Sequence, residues 1–142
     1  MTFDELQQLA EKDLKINDTE LDLESLKTPQ LHNKWMKFHN QYTNLLKKTE
    51  QDRDRLLREK WEYYTGKADP SVYQLKPFNI KLLKPDVDKY IKADEDMIKL
   101  EQKVTYVQSV VDYLDRTVKI ISNRGFQIKN AIDWRKFTSG VI

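Results

Sequence analysis

An all-α fold follows from three observations. Chain breakers are scarce, with three Gly and four Pro in 142 residues. Met97, Leu100, Val104, Val107, Val111, Leu114, Val118 and Ile121 recur at alternating three- and four-residue spacing. That is a heptad seam, which a long helix presents to a partner helix. Leu31, Trp35, Phe38, Tyr42 and Leu45 keep a four-three rhythm earlier in the chain. The two stretches are of comparable length and close on each other as a long antiparallel helical hairpin.

The elements follow in order within one helical domain, 1–142. Residues 1–28 read as acidic N-terminal helices. Thr2-Phe3-Asp4-Glu5 has the form of a capping box, and Phe3, Leu6, Leu9, Ala10 and Leu14 continue at helical spacing. A second short helix starts near Asp18 and ends at Thr28, because Pro29 disfavours the α region in the residue before it. Residues 29–65 form the first long helix, with Leu56, Leu57 and Trp61 resuming its apolar stripe after a polar stretch, and Gly66 stops it. Residues 66–85 hold Pro70, Pro77 and Pro85 and read as a basic loop. Residues 86–122 form the heptad helix. Ser122-Asn123-Arg124-Gly125 breaks it, 126–138 form a last short helix, and Val141-Ile142 leave an apolar tail end.

Composition removes several function classes. There is no Cys, hence no disulfide and no thiolate site. The acidic start Met1–Glu5 is not expected to be a signal peptide, and no stretch of about 18 apolar residues is present for a membrane span. His32 and His39 alone do not make a metal site. Asp94-Glu95-Asp96 reads as a solvated helix face rather than a cation cage. No P-loop, GxGxxG or GxSxG pattern occurs, so neither an enzyme nor a cofactor is expected.

Charge is unevenly spread. Residues 1–26 carry eight acids against two lysines, whereas 116–142 carry six bases against one acid. The segment 56–67 crowds Trp61, Tyr63 and Tyr64 among Arg58, Lys60 and Lys67, with Lys76, Lys81 and Lys84 following. Cations neutralise phosphates and flat rings stack on unpaired bases. Trp61 lies on the apolar stripe and is expected to pack inward. Tyr63 and Tyr64 suit either the core or a base. The competing readings are a coiled-coil adaptor whose charges only solubilise it, and a duplex DNA or RNA binder.

At these residues the chain resembles the UvsY recombination mediators of T4-like bacteriophages. The likeness rests on Lys34-Trp35, on the run Arg58, Lys60, Tyr63, Tyr64, Thr65, Gly66 and Lys67, and on Arg124, Gly125, Phe126, Ile128 and Lys129. It implies a non-enzymatic factor that binds single-stranded DNA as a ring-like homo-oligomer, a hexamer or heptamer. Such a factor helps a RecA-like recombinase load onto DNA covered by single-strand-binding protein, in the cytoplasm of the bacterial host. By the match, Arg58 and Lys60 are phosphate contacts. The full candidate DNA-binding set adds Tyr63, Tyr64 and Lys67, and on charge alone Lys76, Lys81 and Lys84. The C-terminal region implies an oligomerisation helix with Phe126, Ile128, Ile132 and Phe137.

Overall fold

The structure is a computed structural model that describes residues 1–140; Val141 and Ile142, read above as an apolar tail end, lie outside the described residues. Six α-helices and no strand form among them: α1 Phe3–Leu14, α2 Leu21–Tyr64, α3 Pro70–Leu75, α4 Lys84–Lys92, α5 Glu95–Ser122 and α6 Arg124–Thr138. No helix of the described residues is long and apolar enough to cross a membrane. The chain divides into two compact units, one of Met1–Thr43 with the chain from Val110 onward, the other of Asn44–Ser109.

In the first unit α1 starts with the expected capping box. The Glu5 amide donates to Thr2 Oγ1 at 3.2 Å and the Thr2 amide donates to Glu5 Oε2 at 2.9 Å. Leu6 and Ala10 of α1, Trp35 of α2, and Val110, Leu114 and Ile121 of α5 make a fully buried core. Asp13 accepts the Trp35 indole N–H at 3.1 Å and the Lys34 ammonium at 2.7 Å. The Lys34-Trp35 pair thus locks α1 onto α2, giving the buried indole the partner it requires.

Pro29 does not end a helix; α2 runs through it. A proline in a helix interior removes one backbone donor and crowds the preceding turn. Beside that turn, the Glu24 carbonyl and the Thr28 hydroxyl take an added donor from α6. The Arg124 guanidinium donates to the Glu24 carbonyl and to Thr28 Oγ1, and pairs with the Glu24 carboxylate. Both Arg124 and Glu24 are buried. Asn123 alone separates α5 from α6, so the expected break at 122–125 shrinks to one residue and α6 begins at Arg124. The Asn123 amide still donates to the Lys119 carbonyl, and its own carbonyl accepts from Gln127.

The second unit is built around Val87 and Ile91 of α4 and Met97 of α5, with Leu56 and Tyr64 of α2 and Leu82 packed on them. The expected helix 86–122 is really two. Asp94 interrupts it by accepting the backbone amides of Asp96 at 2.9 Å and Met97 at 3.1 Å, the bonds of an N-cap. The loop 66–85 also contains a short helix, α3, started by Asp69 and Pro70. The late part of α5 meets the early part of α2 in the first unit, and the start of α5 meets the end of α2 in the second. That order of pairing is antiparallel, as expected.

Candidate nucleic-acid interface

The segment Tyr63-Tyr64-Thr65-Gly66-Lys67 is the C-terminal cap of α2. The Gly66 amide donates to the Tyr63 carbonyl at 3.3 Å and the Lys67 amide to the Glu62 carbonyl at 2.8 Å, the two bonds of a Schellman motif. Gly66 has φ +78°, a conformation that strains any residue with a Cβ. The turn reverses the chain so that the Lys67 ammonium lies 4.5 Å from the centre of the Trp61 ring. That is a cation–π contact.

Trp61 is 43% exposed, so it does not pack inward as its place after Leu57 suggested. Arg58, one turn earlier, has a side chain 79% exposed, and its pairing with Glu62 at 3.7 Å is loose and solvated. Arg55, also exposed, lies one turn before that. The end of α2 thereby presents Arg55, Arg58, Trp61 and Lys67 to solvent.

Three other expected contacts are placed differently. Tyr63 is buried, donates its O–H to the Lys76 carbonyl at 3.0 Å and stacks on Tyr73 with ring centres 5.4 Å apart. Tyr64 donates its O–H to Asp94 at 2.7 Å and meets Phe78 edge-on at 5.1 Å. Lys60 is bound to Asp96 at 2.8 Å and Asp94 at 3.2 Å, with its side chain only 14% exposed. Lys60, the Tyr63 side chain and the Tyr64 hydroxyl are thereby engaged within the second unit. Burial, then the Asp94 carboxylate, push the Tyr64 phenol well above its ordinary value. Burial opposes the Lys60 charge, yet its bonds to Asp96 and Asp94 raise its pKa overall. Burial likewise opposes the Asp94 charge, but the Tyr64 hydroxyl, the Met97 amide and Lys60 hold that carboxyl below its usual range.

The lysines of the following segment separate into two groups. Lys76 lines a cleft with Lys60, Glu59, Glu62, Asp69 and Asp96, an acidic setting that repels phosphate. Lys81 and Lys84 border a different cavity beside Tyr64 and Gly66. Of the eight expected DNA contacts, Lys81 and Lys84 border a cavity whose lining includes no carboxylate, whereas the exposed Arg58 stands beside Asp54, Glu59 and Glu62.

The α6 residues also part company. Ile128 is buried and Ile132 half-buried. Ile128, expected at an oligomer contact, packs within the chain's own fold. Phe126 and Phe137 are 69% and 67% exposed, and Trp134, not anticipated from the sequence, is 66% exposed. Trp134 and Phe137 stack with ring centres 5.8 Å apart. Helical spacing puts Phe126, Trp134 and Phe137 on one side of α6, opposite Arg124 and Ile128.

Residues 9–141 match a family described as "Recombination, repair and ssDNA binding protein UvsY". The chain belongs to the UvsY family. It is 26% identical over 140 residues to the recombination protein uvsY of Enterobacteria phage T4, covering 99% of each chain. Two crystal structures of the bacteriophage T4 recombination mediator protein UvsY, in different lattices, both match with a TM-score of 0.86. One is 25% identical over 96% of this chain and 99% of that one, the other 26% identical over 98% of each. The UvsY likeness includes the Lys34-Trp35 and Gly66 segments, whose structural work is now clear: one fastens α1 and the other caps α2.

Proposed function

We propose that this chain binds single-stranded DNA and acts as a recombination mediator, helping a RecA-like recombinase assemble on DNA covered by single-strand-binding protein. The observation that carries this reading is the exposed cluster of Arg58, Trp61 and Lys67 at the end of α2. Two cations there can meet phosphates beside a ring open to stacking, the pair of interactions by which unpaired strands are held. Lys81 and Lys84 extend the basic surface, while Lys60, Tyr63, Tyr64 and Lys76 hold its scaffold. The family description supports the choice of ligand, and the T4 relative supports the mediator role. No catalytic step or cofactor is part of this reading, and the host cytoplasm is the proposed place of action. Among the described residues no group of three or more His, Asp or Glu is placed to hold a metal ion.

A few cations per subunit bind weakly, so the reading requires repetition. We assign self-association to the outer face of α6, through Phe126, Trp134 and Phe137, in a ring-like hexamer or heptamer. Repeating the basic surface around one assembly raises the effective concentration of binding sites along a strand. Strand held in this way is withdrawn from the resident binding protein and offered to the recombinase.

The test is whether the protein relieves the inhibition of recombinase filament assembly by single-strand-binding protein; no relief overturns the mediator role. Arg58→Ala with Lys67→Ala is expected to weaken dT-oligonucleotide binding at least tenfold at low salt. It should also make the log–log salt dependence shallower by about 1.4, from two lost phosphate contacts. An unchanged slope would remove these residues from the interface. In light scattering, Phe126→Ser with Trp134→Ser should lower the particle mass while leaving helicity intact; an unchanged mass refutes the α6 assignment.

One observation favours the adaptor reading instead. Leu57, Ile91, Met97 and Ile98 border an open groove of about 630 Å³ in the second unit, where an apolar partner segment could lie. Absence of any binding to dT oligonucleotides at low salt would select that reading.

A further inference from the structure

We propose that the cavity beside the cap of α2 seats one unpaired nucleobase of a bound single strand. This rests on the single-stranded DNA reading above and deepens it. The cavity encloses about 510 Å³, within the usual range of small-ligand sites. Tyr64, Phe78, Leu82 and Val87 give it apolar and aromatic walls, and Lys81 and Lys84 stand at its border. Phe78 is fixed in place by edge-on contacts with Tyr64 and with Tyr90, whose ring centre is 5.9 Å away. The backbone at Gly66 leaves its side of the cavity open, with nothing within 4 Å of where a Cβ would project.

The chemistry of the walls selects the occupant. A flat, largely apolar ring with polar edges matches aromatic walls joined by the Asn79 amide, also at the border. The two lysines suit the phosphates on either side of that base. A free nucleoside triphosphate fits less well. Pro85 removes one backbone donor from the first turn of α4 and the Asp86 and Val87 amides donate to the Leu83 carbonyl, which leaves few donors there for a polyphosphate. Strand phosphates need no amide cradle, because Lys67 directly follows Gly66 and Arg58 lies on α2, the helix that Gly66 caps.

The test compares a dT oligonucleotide with an abasic strand of equal length and charge, using tetrahydrofuran sugars, on the full chain. The wild type is expected to bind dT about tenfold tighter. Leu82→Trp, which fills the cavity, should remove most of that preference while keeping affinity for the abasic strand, which also reports that the variant is folded. Asn79→Ala, at an exposed position, should reduce the preference about threefold. Trp61→Ala, which removes the exposed ring that stacks on another base, should reduce the preference without abolishing it. Equal wild-type affinity for the two strands overturns the proposal but not the binding of single strands. A preference that survives Leu82→Trp and disappears in Trp61→Ala also overturns it, assigning the base to the exposed ring. Failure to bind either strand overturns both readings. Free dTMP binding the cavity while dT strands show no base preference would replace the strand by a mononucleotide.

Discussion

Replacing Asp94 by alanine should lower the free energy of unfolding by about 3 kcal/mol, measured by urea denaturation near neutral pH. The carboxylate is almost wholly enclosed, with 3% of its side chain exposed, and it serves three partners at once. It caps α5, it accepts the Tyr64 hydroxyl, and it neutralises Lys60. Alanine removes the cap and leaves a half-buried ammonium with only the exposed Asp96. Asp94→Asn keeps the cap and should cost less than half as much. The pH dependence has a definite sign on each side. Asp94 is held below its ordinary value of 3.8, so its contribution is present above that pH and is lost as pH falls through the lowered value. Lys60 and Tyr64 are raised above 10.5 and 10.0, so their contributions are complete below those values and are lost as pH rises through the raised ones. A variant with the wild-type urea midpoint would show that the network adds nothing. Because Tyr64 and Lys60 hold the end of α2, single-strand binding should fall along with stability.

The hairpin was legible because Trp35, Leu114 and Ile121 carry its heptad signal in apolar side chains. The end of α2 was harder to read because polar residues occupy its inward positions. Leu46, Thr49, Arg53, Leu56, Lys60 and Tyr63 continue a three-four spacing on the side turned from solvent. Thr49 satisfies its hydroxyl on the Leu45 carbonyl, Arg53 lies 3.8 Å from Glu101, and Lys60 meets Asp94. Extending that period through the polar stretch would have put Lys60 and Tyr63 inside and Trp61 outside. Hydrophobicity alone pointed the other way. In α5, Val110 and Thr117 are buried where Val111 and Val118 were expected, a one-residue shift that places a hydroxyl in the seam. That Thr117 hydroxyl is satisfied on the Tyr113 carbonyl, which makes its burial tolerable. Asp94 did carry a readable signal, since an Asp followed by acids in the next turn is an N-cap pattern. The cavity bordered by Lys81 and Lys84 had no such signal, for it arises only when the 76–83 connection folds back beside Gly66.

Arg124→Ala is expected to cost about 3–5 kcal/mol, because it strands a buried carboxylate. Glu24 and Arg124 have side chains 5% and 3% exposed, so water cannot replace the lost partner. Lys27, at 3.0 Å, and then Arg124 hold the Glu24 carboxyl below its ordinary value against the effect of burial. With Arg124 gone, Lys27 remains, but its side chain is 56% exposed and gives only a screened pairing. The guanidinium also donates to the Glu24 carbonyl and the Thr28 hydroxyl and so ties the first residue of α6 to α2. Its own Nε has no partner, so the cluster is not an optimised source of stability. The double variant Glu24→Leu, Arg124→Met should therefore recover much of the loss, since an apolar pair of similar volume avoids the desolvation of both charges. A double-mutant cycle on unfolding free energies measures the coupling. A double variant as destabilised as Arg124→Ala would show that the stranded Glu24 charge is not the source of the loss. The same single variant separates stability from assembly. If Arg124 fixes α6 so that Phe126, Trp134 and Phe137 form one face, Arg124→Ala should reduce particle mass in light scattering at temperatures where the first unit is still folded. The double variant, which re-docks α6 without charge, should restore it. A native mass in Arg124→Ala would show that the outer face of α6 does not need this anchor to associate.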